Sequence, residues 1–312
     1  MKTVMVTGAS GLIGSELSEA LLAKGFKVVG VDNTPSASVN NPNFVFVQAA
    51  IDDKDAVSRA MSEHRIDVLV HAACSVDNDL PNIITSAHEK QSAAVDKYIY
   101  KSAVTAGASD IILLSTHLVY APQKTREPIR ESADEKPISD YAKMKFDSEK
   151  TLAKTVKGVG SCKAVIARVC PIYTKSYVPN LHAKIYDPKD NCSFIYGYGD
   201  YGFTFCCLYN FIDFVLGILS VNGGINYQGV YNVCDTKPIL AKEIVEFERA
   251  NHKLGAVIQR NYSVVKSIGF GNKDAKIDYR YNDLSIVCSN VSYDNTKAQR
   301  ISTFRWKLSN TK

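Results

Sequence analysis

The chain has 312 residues, 46% of them hydrophobic and 22% charged, with a mild net charge of +5. These are ordinary globular values, and the length fits one large α/β domain or a nucleotide domain with a smaller partner. There is no basic stripe of the kind that marks a nucleic-acid binder, so no nucleic-acid partner is expected.

The first stretch carries the most information. Val4-Met5-Val6 is an apolar run of strand type that leads into Gly8, Gly11 and Gly14. A helical pattern follows from Ser15 to Lys24. Gly8 allows the tight turn out of the strand. Gly11 lets a pyrophosphate approach the backbone, and Gly14 lets the helix pack closely on the sheet. The candidate cradle is therefore the loop of Gly8, Ser10, Gly11, Leu12, Ile13 and Gly14, at a helix N-terminus whose free N–H groups attract phosphate.

A second strand, Phe26 to Asp32, ends in a carboxylate. At that position Asp32, with Asn33 beside it, can accept hydrogen bonds from the adenosine ribose hydroxyls and would repel the extra phosphate of NADP. NAD is the expected cofactor and NADP the less favoured one. A polar loop runs from Asn33 to Asn43. Phe44 to Val47 reads as a third strand and Asp55 to Glu63 as a helix. Asp67 to Ala73 reads as a fourth strand running into small residues. Ala72 and Ala73 would let a cofactor lie across its end. His71 by itself reads as a satisfied structural histidine.

Ala87 to Ala106 has helical character, with Gly107 as its C-cap. Ile111 to Thr116 is a fifth, almost wholly apolar strand. The alternation of strand and helix predicts a Rossmann-type, doubly wound parallel sheet. From about residue 175 the aromatic, proline and glycine content rises, which predicts a smaller, irregular C-terminal substrate-binding lobe. Gly229 to Val233 reads as a strand and Ala241 to Ala250 as a helix. The expected division is a cofactor domain over 1–172, with 229–250 packing back onto it, and a substrate lobe over 173–312.

The most apolar window, Phe205 to Val221, is short and contains Asn210 and Asp213, so it reads as a buried or amphipathic helix. No membrane partner is expected. With residues of strand type from the start, no signal peptide is expected. Eight cysteines, at 74, 162, 170, 192, 206, 207, 234 and 288, form no Cys-x-x-Cys pair and have no zinc spacing. They read as reduced thiols of a cytoplasmic protein, and no metal is expected.

Tyr141 and Lys145 are four apart on a predicted helix and share a face. An ammonium beside a phenol favours the phenolate and lowers its ordinary value of about 10. Such a tyrosine can move a proton to or from an alcohol oxygen. Thr116, at the strand end, can hydrogen-bond the same oxygen; the alternative is a threonine that caps the turn that follows.

With these residues in place the chain resembles the extended short-chain dehydrogenases/reductases, specifically the NAD-dependent epimerase/dehydratase group. The matching stretches are Thr7 to Gly14, Asp32, His71 to Ala73, Ser115 to Tyr120 and Tyr141 to Lys145, with weaker echoes in the second half. The resemblance implies bound NAD, a nucleotide-sugar substrate and a homodimer built through two helices, one of them bearing Tyr141. It also implies a catalytic set in which Tyr141 is the acid–base group, Lys145 holds the nicotinamide ribose, and Thr116 completes the triad.

Departures narrow the reading. The 4,6-dehydratases of the group carry an Asp-Glu pair after the triad threonine; here His117 and Leu118 stand there, so 4,6-dehydration is not expected. Reductases of the fucose-synthase type carry a cysteine at the position of Leu118. His182 is the remaining extra acid–base candidate, against an ordinary surface histidine. The arginine that binds the sugar diphosphate aligns with Phe203, and Lys175, Lys184 or Lys189 could supply the missing charge. An aspartate that often holds adenine appears displaced, with Ala50 in its place and Asp52 and Asp53 following. The expected activity is oxidation or reduction, by an epimerase or a 4-keto reductase, at the C4 carbinol of a nucleotide sugar. A reductase of a non-nucleotide ketone or alcohol and a non-catalytic NAD-binding scaffold are the alternatives.

Overall fold

The computed structural model describes residues 1–35, 40–74, 86–121, 127–221, 226–261 and 291–312, without the side chains of 86–91. Cys288 and part of the loop after Asn33 lie outside the described residues. The chain forms two compact units: Met1–Ala121 with Asp134–Arg168 and Val215–Tyr231, and Pro122–Ala133 with Val169–Phe214 and Asn232–Lys312.

In the first unit the order is β1 (Thr3–Thr7), α1 (Leu12–Ala23), β2 (Lys27–Asp32), β3 (Phe44–Gln48), α2 (Lys54–Glu63), β4 (Val68–His71), α3 (Ser86–Thr105), β5 (Asp110–Thr116), α4 (Asp140–Val156) and β6 (Lys163–Val169). Onward come β7 (Ile172–Tyr173), α5 (Pro179–His182), β8 (Tyr186–Asp187), β9 (Cys192–Tyr196), β10 (Gly202–Phe203), β11 (Cys206–Cys207), α6 (Leu208–Ser220), β12 (Gly229–Val233), β13 (Ile239–Leu240), α7 (Ala241–Asn251) and β14 (Val257–Arg260). A last short helix is Thr296–Gln299.

The seven-stranded sheet has the order β12-β6-β5-β4-β1-β2-β3. Strand β1 pairs in parallel with β2 and β4, as β2 does with β3 and β4 with β5. The expected doubly wound sheet is present, and its order places the ends of β1 and β4 side by side at the switch point where ligands bind. Every residue of β1 and β4 is buried, which is why their sequences are continuous apolar runs rather than alternating ones. Met5, Val29, Leu69, Ile111 and Ile166 meet Val57, Ile99, Tyr100 and Leu152 in one core. Leu17 and Leu21 of α1 are also fully buried.

Helix α1 begins at Leu12 rather than Ser15 because Gly11 is its N-cap, in extended conformation. The glycine-rich sequence hides the first turn. Arg65 and His64 close α2, and Asp53 opens it by accepting from the Ala56 N–H at 3.1 Å. Asp53 is thus a helix cap here.

The second unit contains small sheets: β10 with β13, β11 with β7, and β14-β9-β8. Its core is aromatic, built on Tyr173, Phe194, Tyr196, Tyr201, Phe203 and Phe205. Edge-to-face pairs such as Tyr201–Phe203, with ring centroids 5.6 Å apart, hold it together. Tyr173 donates to Asp235 at 2.8 Å, and burial pushes the Asp235 carboxyl up to about 6. No described helix is long and apolar enough to cross a membrane.

Candidate active site

The glycine loop is built by close approach. Gly8 has φ of +73°, a left-handed conformation that side chains strain to adopt, and a Cβ there would lie 3.0 Å from the Ala73 nitrogen. A Cβ on Gly14 would lie 2.0 Å from the Gly8 carbonyl oxygen. Gly11 differs: its Cβ would meet only that same oxygen, at 3.4 Å, so the space above it is open. The Gly11 N–H donates to Gly8 O at 3.2 Å. The next N–H groups, of Leu12, Ile13 and Gly14, begin the helix and have no intrahelical acceptor. An open glycine face at a helix N-terminus fits a pyrophosphate.

Asp32 fixes the loop it was expected to face. Its Oδ2 accepts from the Ser10 N–H at 3.0 Å and its Oδ1 from the Thr34 N–H at 2.9 Å. The Ser10 hydroxyl donates to Thr34 O at 2.7 Å. Each carboxylate oxygen keeps a lone pair for a ribose hydroxyl. Asn33 accepts from Gln48 through its carbonyl, 3.3 Å away. Ala72 and Ala73 follow β4 directly against Gly8, and the Ala73 N–H donates to Thr7 Oγ1 at 3.2 Å.

Thr116 is buried at the end of β5, where its Oγ1 accepts from the Leu118 N–H at 3.3 Å. It does cap the short 3-10 turn His117–Val119, and its hydroxyl proton remains available to a second acceptor. Ser139 caps α4 by accepting from the Ala142 N–H at 3.2 Å. One turn into that helix, Tyr141 is half-buried and Lys145 buried. The Lys145 Nζ donates to the Leu114 carbonyl at 3.0 Å, which ties α4 to the strand that ends in Thr116.

The electrostatics correct the expectation for Tyr141. Burial raises its phenol above the ordinary value; Lys145 pulls it down, but not enough, and Cys74 adds to the rise. Desolvation of the phenolate outweighs one ammonium. Lys145 itself stays above the usual lysine range. Burial works against its charge, while Cys74, Tyr141, Asp96 and Glu149 favour it.

Sequence reasoning missed the shell beneath these groups. Glu149, one turn after Lys145, accepts from the Ser115 hydroxyl at 2.5 Å and from Arg168 Nη2 at 2.7 Å. Arg168 also reaches Glu135 at 2.7 Å and lies 4.7 Å over the Tyr120 ring. These carboxylates hold its guanidinium well above the ordinary value against the cost of burial. The i, i+4, i+8 spacing of Tyr141, Lys145 and Glu149 was the one available signal.

In the second unit His182 is not an isolated surface group. Its Nδ1 lies 2.8 Å from Oε2 of the buried Glu248, and its ring stacks on Tyr186. The hydrogen bond to Glu248 holds the imidazole above its usual value. Phe203 is buried, and the Nζ of Lys184, likewise buried, lies 5.5 Å from its ring centre. Lys175 and Lys189 are exposed.

A model of the NAD dependent epimerase/dehydratase family matches residues 4–233. The chain is 30% identical over 152 residues to UDP-glucose 4-epimerase of Azospirillum brasilense, covering 48% of this chain and 43% of that protein. It is 32% identical over 127 residues to UDP-glucose 4-epimerase of Neisseria meningitidis, covering 34% and 38%. The chain thus spans less than half the length of these curated relatives. Among solved structures, UDP-glucose 4-epimerase of Thermotoga maritima with UDP-glucose is similar with a TM-score of 0.71 at 20% identity, covering 96% of this chain and 91% of that one. UDP-glucuronic acid 4-epimerase of Bacillus cereus, with UDP-glucuronic acid and NAD, gives 0.72 at 20% identity, covering 98% and 95%. The fold is that of these structures.

Proposed function

The chain belongs to the NAD-dependent epimerase/dehydratase family, and from that premise we propose that it interconverts the C4 carbinol of a nucleotide sugar as a 4-epimerase, without dehydration. The observation that carries this is the Lys145–Leu114 bond: it brings the helix of Tyr141 and Lys145 to the strand end of Thr116. Names of relatives that act on UDP-glucose support the substrate class.

NAD, when bound, supplies the acceptor and donor of hydride at carbon. The chain's own residues handle position and protons. The helix N-terminus at Leu12 and Ile13 meets the pyrophosphate, and Asp32 takes the ribose hydroxyls and favours NAD over NADP. Tyr141 removes the proton of the C4 hydroxyl as its carbon is oxidised and returns it on reduction. Thr116 donates to the same oxygen. Lys145 binds the nicotinamide ribose and offsets part of the burial that favours the neutral phenol. Leu118 can neither donate nor accept a proton, so the Asp-Glu acid–base pair that 4,6-dehydration uses is incomplete here.

Phe203 supports a second reading. A buried phenyl ring where the resemblance places a diphosphate-binding arginine suits a ketone without a nucleotide, unless Lys184 beside it supplies the charge. One experiment separates them: purified protein is incubated with UDP-glucose or UDP-glucuronic acid, no cofactor added, and the C4 epimer is followed by proton NMR. Appearance of the epimer supports the proposal. No product from any nucleotide sugar, with reduction of an apolar ketone by added NADH, favours the second reading.

A further inference from the structure

The strand end and turn that carry Thr116, residues 115–120, are held at both ends by one buried guanidinium, that of Arg168. At the near end the Ser115 hydroxyl donates to Glu149 Oε1 at 2.5 Å. Arg168 grips both oxygens of that carboxylate, Nη2 to Oε2 at 2.7 Å and Nε to Oε1 at 3.1 Å. At the far end the same Nη2 donates to Glu135 Oε1 at 2.7 Å. Glu135 is bridged antiparallel to Tyr120. Backbone bonds flank the bridge, from the Ala121 N–H to Asp134 O at 2.8 Å and from the Lys136 N–H to Val119 O at 3.0 Å. The guanidinium also lies over the Tyr120 ring, 4.7 Å from its centre. Between the two ends, Thr116 Oγ1 accepts from the Leu118 N–H, so the hydroxyl is carried by the turn.

Stability alone would not select this arrangement. A buried ion pair repays its desolvation only when hydrogen bonds satisfy the groups involved, and an apolar side chain of similar volume avoids that cost. Here Nη1 of Arg168 is buried and has no hydrogen-bond partner among the described residues. What a guanidinium supplies and an apolar side chain does not is direction: its planar fork fixes the carboxylates it binds relative to one another. One of them, Glu149, stands on α4 with Tyr141 and Lys145; the other, Glu135, is paired to the end of the Thr116 turn. Resting on the roles proposed above for Thr116 and Tyr141, we infer that Arg168, with Ser115 and Glu149, is a positioning set that fixes where the Thr116 hydroxyl stands relative to α4.

Ser115→Ala tests this, because it cuts one link and strands nothing: Glu149 Oε1 keeps the Arg168 Nε–H. With a nucleotide sugar as substrate, kcat of the full-length variant should fall about tenfold, while KM and NAD affinity stay within about twofold of wild type. The decisive readout is a double-mutant cycle. Thr116→Val already lacks the hydroxyl being positioned, so in that background Ser115→Ala should lower kcat by less than about twofold. A wild-type kcat in Ser115→Ala overturns the inference. So does an equal loss in both backgrounds, because a general loosening of the fold acts in both.

A second measurement needs no turnover. In methyl-labelled full-length protein, the Thr116 methyl resonance, assigned through Thr116→Val, should move in Glu135→Ala. That substitution removes an exposed carboxylate at the far end of the turn, and its effect reaches Thr116 through Arg168 and Tyr120. An unmoved methyl in Glu135→Ala overturns the inference. Failure of the enzymatic reading is separately visible: a methyl that moves in a protein whose wild type turns over no nucleotide sugar supports the positioning set and removes the reaction assigned to the site.

Discussion

Glu149 and Ser115 are joined by a 2.5 Å hydrogen bond, so the residue next to Thr116 is fastened to the helix of Tyr141 and Lys145. Arg168 completes the junction from β6. Breaking a buried pair strands a charge, so Arg168→Met should cost about 3–5 kcal/mol, read as a lower urea midpoint with an unchanged slope. Replacing Lys150 by Met, on the same helix but solvent-exposed and paired with Asp147, should shift the midpoint little. Equal losses would remove the junction from the account.

The glycines of the proposed cofactor loop should separate folding from binding. Gly14→Ala drives a methyl into the Gly8 carbonyl, 2.0 Å away, and should destabilise the fold by about 1–3 kcal/mol or prevent it. Gly11→Ala meets nothing closer than 3.4 Å, so it should fold with nearly wild-type stability while its methyl occupies pyrophosphate space and weakens NAD binding. Calorimetric titration with NAD, beside thermal melts, checks both. Undiminished affinity in Gly11→Ala would displace the pyrophosphate from this loop.

Lys145 opposes the burial that raises Tyr141. Lys145→Met removes that opposition, so the acid limb of kcat/KM should move to higher pH, by about 1–3 units. The sign follows from the proposed role: if Tyr141 acts as the phenolate, a higher phenol value confines turnover to more alkaline solution. An acid limb unchanged in Lys145→Met would mean that another group sets it.

His182 ties α5 to α7 through Glu248, and its value in the folded chain is raised. The stability this pair contributes should be fully present below the unfolded histidine value, near pH ~6.5, and lost as pH rises through the folded value. Melting temperatures should therefore fall between mildly acidic and mildly alkaline buffer, and His182→Asn should flatten that part of the change. A wild type and variant with parallel profiles would dismiss the pair as a source of stability.

The parts legible in the sequence are those whose residues lie close together along it. Gly8, Gly11 and Gly14 frame a turn within seven residues, and β1, β2, β4 and β5 are apolar because both faces are buried. Tyr141 and Lys145 share a face by helical spacing alone. What joins distant stretches left no such trace: Asp96 meets His71 across 25 positions and Arg168 meets Glu149 across 19. Two-residue strands such as β10 and β11 have no period to read. The rise of the Tyr141 phenol leaves no trace in the sequence, because a charged neighbour such as Lys145 is visible there and desolvation is not.

Tyr141→Phe tests the account most directly. The substitution removes one hydroxyl and leaves the glycine loop, Asp32 and Lys145 in place. With a nucleotide sugar turned over by the wild type, the rate should fall by about 100-fold or more while NAD binds as before. A variant that binds NAD and turns over at the wild-type rate would contradict the proposed assignment of Tyr141 as the acid–base group, and with it the proposed catalytic site.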